Sequence, residues 1–309
     1  MFHFSFPGGS GKFVFNRNRD IVKYNVDDNN ITDHPFLNRI DNQHTEWDLS
    51  QSQFVITDAQ GITYTFAAVE ETITGSNCGD PGVPNNDNDE IFNRNNWLLT
   101  RMSRSSNWID FAYTEQYIVQ EITSSETRRF AVDGPGVPIS SFCNNTWRGV
   151  EQRLTTITTS NGYLVEFAAD PIERNDLPGS KRLAEIIVKK DGAKLAHYRL
   201  DHDYFGNQSE DFKLRLDKVN QVSTVSYSTL LPGYEFEYYN DNNVPDIDSK
   251  QQDYWGYFNG SPNNNFSMVP QWKDSLYHVN QQSNVDRNPN PLTAVNGTMK
   301  KITYPTGGS

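Results

Sequence analysis

Several short stretches of this chain carry residue types that can do chemistry. Gly8-Gly9-Ser10-Gly11-Lys12-Phe13 sets glycines beside a lysine, the materials of a phosphate cradle. A phosphate loop of that kind needs Gly at position 6 and Ser or Thr at position 13, followed by a helix. Phe occupies both positions, and Phe13-Val14-Phe15 is strand-like, so a tight turn feeding a strand is expected instead. His202 stands between Asp201 and Asp203, but one histidine with alternating acids offers too few converging donors for a metal. The remaining histidines, His3, His34, His44, His197 and His278, lie in no nucleophile-and-base context, and no G-x-S-x-G elbow is present. Asp110, Glu115, Glu166 and Glu237 fall on or beside predicted strands. Acids at alternate strand positions belong to a wet sheet face, and a glycoside hydrolase would need two of them at a defined separation.

Two features suit binding better than catalysis. Asn85, Asp87, Asp89 and Glu90 form one oxygen-rich loop cluster, and Asp241, Asp246 and Asp248 a second. Calcium is the cation such donors suit; neither cluster follows the EF-hand spacing, and a solvated acidic loop is the competing reading. Tyr254, Trp255, Tyr257 and Trp272, with Phe258 and Phe266 among them, are interleaved with Asn and Gly. Aromatic faces stack on sugar rings while amides bond hydroxyls, which describes a carbohydrate-binding surface. The competing reading makes the same rings anchors that pin a long excursion onto the fold. Cys78 and Cys143 both stand in turn-rich sequence, SNCGDPGVP and SFCNNTW, and are either bonded to each other or free. Their spacing excludes a C-x-x-C redox or zinc motif.

The elements that must carry these residues are strands. Hydrophobic residues make up only 35% of the 309 and mean hydropathy is −0.72, yet aromatics reach 13%, which a disordered chain lacks. About one residue in nine is Asn, a turn-former, so the polar excess belongs to turns between aromatic strands. Thirty-nine acids against 27 bases give a net charge of −12 with no basic stripe, which disfavours nucleic acid and anionic membranes as partners. No apolar run approaches the ~20 residues of a membrane-spanning helix, and Met1 to Phe15 lacks the basic start and apolar centre of a secretory signal.

Phe54 to Phe66 alternates on both sides of Asp58 to Gly61, a hairpin signature. A Leu-x-x-Ile opening followed by a polar turn and an aromatic return recurs at Leu99–Met102, Leu154–Ile157, Leu183–Ile186 and Leu216–Val219. The returns carry Ile109, Phe111 and Tyr113, then Val165 and Phe167, then Leu195 and Tyr198, then Phe236 and Tyr238. A fifth opening, Met299–Ile302, reaches Ser309 without a return, so a piece of a longer protein is expected. Helix is expected only in short pieces, His34 to Asp41 being the best candidate. Residues 1–309 thus read as one continuous all-β segment, repeated antiparallel hairpins joined in a long curved sheet. Loop insertions are expected at about 75–96 and 240–296.

FSFPGGSGKFVFN at Phe4 to Asn16, DYWGYFNG at Asp253 to Gly260 and KITYPTGG at Lys301 to Gly308 together resemble the YD-repeat, or Rhs-like, proteins of Bacteroidota, in the region before their regular repeats. The resemblance covers nearly the whole chain. It implies a non-catalytic part of a large secreted or cell-surface protein whose sheet spirals into a shell, often presenting a C-terminal toxin or effector. It also implies outer-membrane export of the type IX kind. The partners would be the rest of the protein's own chain and components of its secretion channel. No DPxG-type boundary motif is present, and Asp80-Pro81-Gly82 has the wrong spacing, so the family's self-cleaving aspartyl site falls on no residue here. The alternatives to a structural segment are an adhesion module using the aromatics and, more remotely, a glycoside hydrolase.

Overall fold

The computed structural model describes residues 2–7, 9–15, 21–24, 36–40, 53–58, 60–77, 91–129, 139–206, 213–224, 230–247, 249–262, 264, 273–274, 279–280 and 285–308. Strands dominate. A three-stranded sheet is formed by β1 (Phe2–Phe6), β2 (Gly9–Phe15) and β3 (Ile21–Tyr24). A twelve-stranded sheet begins with β4 (Phe36–Ile40), β5 (Phe54–Thr57), β6 (Thr63–Asn77), β7 (Ile91–Arg104), β8 (Asn107–Arg129) and β9 (Ile139–Thr159). It continues through β10 (Tyr163–Glu173), β11 (Lys181–Lys190), β12 (Ala193–Phe205), β13 (Lys213–Gln221) and β14 (Tyr234–Tyr238). The strands β15 (Lys273–Asp274) and β16 (Val279–Asn280) pair with each other, α1 spans Pro291–Ala294, and β17 (Met299–Thr303) closes the large sheet beside β14. Every pairing is antiparallel, and the long curved all-β sheet expected from the hairpin repeats is the fold observed.

All four complete Leu-x-x-Ile repeats are hairpins: β7–β8, β9–β10, β11–β12 and β13–β14. The fifth opening is β17, which pairs with the preceding return strand through Phe236↔Ile302. The segment His34 to Asp41 is not helical where it is described, because Phe36–Ile40 is β4, paired with β5 through Leu37↔Ile56 and Ile40↔Phe54. Eight residues are too few to hold a helix without tertiary help, and the β5 edge offers backbone partners at once. The first insertion is also narrower than its composition suggests, since β6 extends to Asn77 and β7 begins at Ile91. Cys143 lies within β9, opposite Ser125, and not in a turn. Cys78 lies outside the described residues, and so does any bond between the two cysteines.

Among the described residues the main core lies where the small sheet meets the large one. Phe6, Phe54, Ile56, Tyr64 and Phe66 form the buried cluster, flanked by Phe4, Trp97, Leu99 and Met102, so the small sheet is clamped onto the β5–β7 face. Phe6 meets Tyr64 at 4.4 Å between ring centroids, and Phe54 meets Trp97 edge-on at 5.0 Å. The β5–β6 turn is tied by Asp58, whose Oδ1 accepts from Gln60 N at 2.9 Å and Ile62 N at 2.8 Å while Oδ2 accepts from Tyr64 Oη at 3.1 Å. The glycines of the phosphate-like stretch have a packing role. Gly9 and Gly11 stand opposite Phe6 and Phe4, and a Cβ there would lie 2.7 and 2.4 Å from the ring tips. Each ring lies across the bare glycine backbone of its partner strand, an arrangement known to rescue glycines in sheets.

From β10 to β17 the sheet is amphipathic. On one face Glu166 pairs with Lys189 at 2.7 Å, Arg199 with Asp201 at 3.1 Å, Lys218 with Glu235 at 2.7 Å and Lys301 with Glu237 at 3.4 Å. The opposite face carries the cross-strand pairs Val165↔Val188, Phe167↔Ile186, Leu200↔Val219 and Phe236↔Ile302. These apolar side chains are half-buried.

The four longest strands do something the hairpin repeat does not announce. Near its start β6 has β5 on one edge and β7 on the other; farther along, residues 71–77 exchange β5 for residues 144–150 of β9. The strand β9 makes the matching exchange, leaving β10 for β6, so β6, β7, β8 and β9 are hydrogen-bonded in a closed cycle. Glu70 stands at the exchange, accepting from Asn96 Nδ2 of β7 at 2.9 Å and from Gln152 N of β9 at 3.1 Å. Gly149 allows the approach, because a Cβ there would already lie 3.0 Å from the Glu71 carbonyl.

Candidate functional site

The segment between β14 and β17 holds the aromatic motif, and its local sequence explains its shape. Residues 251–259 form a tight hairpin: Gln252 bridges Phe258, Asp253 N donates to Tyr257 O at 2.8 Å and Asn259 N to Gln251 O at 3.1 Å. Asp253 Oδ1 caps the tip by accepting from Trp255 N at 2.8 Å and Tyr257 N at 3.0 Å, while Gly256 takes the φ of +88° that the reversal requires.

The hairpin is fastened by polar groups. Asn259 Nδ2 donates to Asp286 O at 2.7 Å; Asn264, fully buried, donates from Nδ2 to the same oxygen at 2.6 Å and accepts from Asp286 N at 2.9 Å. Arg287 Nη1 donates to Gln252 O at 2.6 Å and Lys250 O at 3.1 Å. Burial pulls the Arg287 guanidinium pKa below its ordinary value, opposed first by the charge of Glu126. Each of these buried donors finds an acceptor, as burial demands.

This arrangement reverses the anchoring expected from the sequence. Among the described aromatics Tyr254 is 68% exposed, Trp255 79% and Tyr257 64%, so the rings at the tip do not pin the excursion; Asp253, Asn259, Asn264 and Arg287 do. Phe258 is half-buried and lines a cleft of about 460 Å³ with Asn243, Asp246, Ser249, Lys250 and Gln251. Trp272 and Phe266 lie outside the described residues.

The other sequence candidates do not converge. Asn85, Asp87, Asp89, Glu90 and Asp248 lie outside the described residues, and among those described no three His, Cys, Asp or Glu side chains gather as metal ligands. Asp241 pairs with Arg215 Nη1 at 3.0 Å. His202 and its neighbours are directed differently: Asp201 accepts from Asn220 Nδ2 at 2.6 Å and Asp203 from Arg215, while His202 is lowered in pKa by burial and then by Arg182. The strand carboxylates are engaged separately, Asp110 with Arg101 at 3.3 Å, Glu115 with Gln152 Nε2 at 3.3 Å, Glu166 with Lys189 and Glu237 with Lys301. Sequence reasoning passed over Glu151, whose carboxyl is raised by burial and then by the charge of Glu70. Only the closed strand cycle brings these two together, and Glu70 is committed to Asn96 and Gln152. No protein-family model, curated protein or solved structure matches the chain.

Proposed function

We propose that this chain is a structural, non-catalytic segment of a larger secreted or cell-surface protein of the YD-repeat kind, contributing wall rather than chemistry. One observation carries the reading: the β10–β17 sheet runs through successive antiparallel hairpins with ion pairs on one face and apolar cross-strand pairs on the other. An enclosing wall needs one wet face and one that packs inward. Glu166 with Lys189 ties β10 to β11, and Glu237 with Lys301 ties β14 to β17, bracing one hairpin against the next.

The test is imaging of the protein isolated from its native source, combined with fractionation of the producing cells. The expected result is this sheet running into further hairpins, with the ion-pair face outward, in protein recovered from the surface or medium. A helical domain packed over the apolar face, or protein confined to the cytosol, would overturn the reading. The type IX cargo role is tested separately by crosslinking in the exporting cell, where recovery of no channel component counts against it.

A further inference from the structure

The aromatic hairpin is built unlike the wall that carries it. Three large rings within four residues stand in solvent at 64–79% exposure, while the side chains that hold their backbone are nine-tenths or more buried. Rings that contribute little to their own hairpin are available to something else. Their backbone is already fixed, so a ligand gains their contact area without the cost of ordering a loop.

The stem of the same hairpin supplies complementary groups. Ser249, Lys250, Gln251 and Phe258 line the cleft from the stem, with Asn243 and Asp246 facing them from the preceding turn. Its volume of about 460 Å³ lies within the usual range of roughly 300–1,000 Å³ for small-ligand sites. Hydroxyl, amide, carboxylate and ammonium groups line it beside the apolar Val244, Pro245 and Phe258, a mixed lining suited to sugars, which carry hydroxyls around apolar C–H faces. One acid and one base leave the cleft without a dominant charge, and the chain's net charge of −12 repels polyanions at distance.

We propose that this hairpin is a binding site for a neutral polysaccharide, with Tyr254, Trp255 and Tyr257 stacking on the C–H faces of successive sugar rings and the cleft taking their hydroxyls. The site goes beyond the wall function and stands or falls independently of it. A protein partner would favour an apolar surround for such rings; here Gly256, Gln252 and Asn259 flank them.

The experiment is native affinity electrophoresis of the intact chain in gels cast with hydroxyethylcellulose, xyloglucan, galactomannan or soluble α-mannan, with polygalacturonate as the anionic comparison. At least one neutral polymer is expected to retard the protein. Trp255→Ala should weaken that retardation about tenfold, the factor expected from losing one stacked ring. Trp255→Phe should keep most of it, and both variants should melt with the parent. Retardation by no neutral polymer, or only by polygalacturonate, would overturn the proposal. So would retardation unchanged in Trp255→Ala, a lowered melting temperature in Trp255→Phe, or self-association in sedimentation that Trp255→Ala abolishes while every polysaccharide leaves mobility unaltered.

Discussion

Asp176 shows how a single polar side chain can hold two strands' worth of structure in place. It lies in the loop between β10 and β11 and accepts from Arg174 Nε at 2.9 Å and Nη2 at 2.8 Å, and from Leu214 N of β13 at 2.9 Å. Burial works to raise its pKa, but the Arg174 fork and the Leu214 amide outweigh it and leave the carboxyl below its ordinary 3.8. A carboxyl depressed in the native state binds protons more weakly than in the unfolded chain. Its stabilisation is therefore complete above pH 3.8 and lost as pH falls through the lower native value. Asp176→Asn should cost about 1–2 kcal/mol near neutrality by removing the charge that faces Arg174, whose side chain is partly exposed. The gap in melting temperature between variant and parent should narrow on acidification, as thermal melts at several pH values would reveal. A nearby glycine gives a steric counterpart. Gly179 has φ +87°, and a Cβ there would sit 1.8 Å from the Tyr117 carbonyl, so Gly179→Ala must displace the loop from β8. We expect a loss of about 2 kcal/mol or more, read by urea unfolding.

Among elements, those visible in the sequence were those whose apolar period survives on a half-buried face. Phe54 to Phe66 alternates because Phe54, Ile56, Tyr64 and Phe66 all point into one cluster, and the hairpin was legible for that reason. The Leu-x-x-Ile openings were legible likewise. By contrast, Phe36, Leu37 and Ile40 have a helix-like spacing, and only their pairing with β5 makes them a strand. The β6–β9 pairing runs through Glu71–Asn77 and Asn144–Val150, where mostly polar residues leave no periodic mark. The site was half legible: the cluster of rings stands out in the sequence but their exposure does not, and the buried Asn259, Asn264 and Arg287 read as ordinary loop residues until their acceptors, far along the chain, are known. Two predictions belong at this scale. Phe6→Ala should cost about 3–5 kcal/mol and free β1–β3 from the large sheet, seen as faster amide exchange over residues 2–15 with β10–β13 unchanged. Gly149→Val should part β6 from β9, so that amides of residues 71–77 and 144–150 that point across this pairing lose protection while the β8–β9 ladder keeps its own.

At the scale of the whole molecule, stability is unevenly distributed. Five of the buried hydrophobics named among the described residues belong to the cluster at the β5–β6 end; Ile118 and Val222 lie apart from it. The β10–β17 half relies on backbone ladders and on ion pairs that are mostly half-exposed and screened by solvent. Such an array behaves as a row of neighbours more than as a single cooperative body. Unfolding followed by Trp fluorescence and by far-ultraviolet circular dichroism should therefore give non-coincident transitions, with β14 and β17 exchanging first. A single coincident transition would overturn this expectation.

The closed cycle of β6 to β9 also sets an order of events. Hairpin neighbours such as Ile187 and His197 meet after a short search, whereas the β6–β9 partners lie about 70–80 residues apart in the chain. Closing that span carries a larger entropic cost and contributes the longest sequence separations in the sheet. The far half of β6 thus has no partner on that edge until β9 has been synthesised and folded back, and for that interval its open edge is the segment most in need of a chaperone.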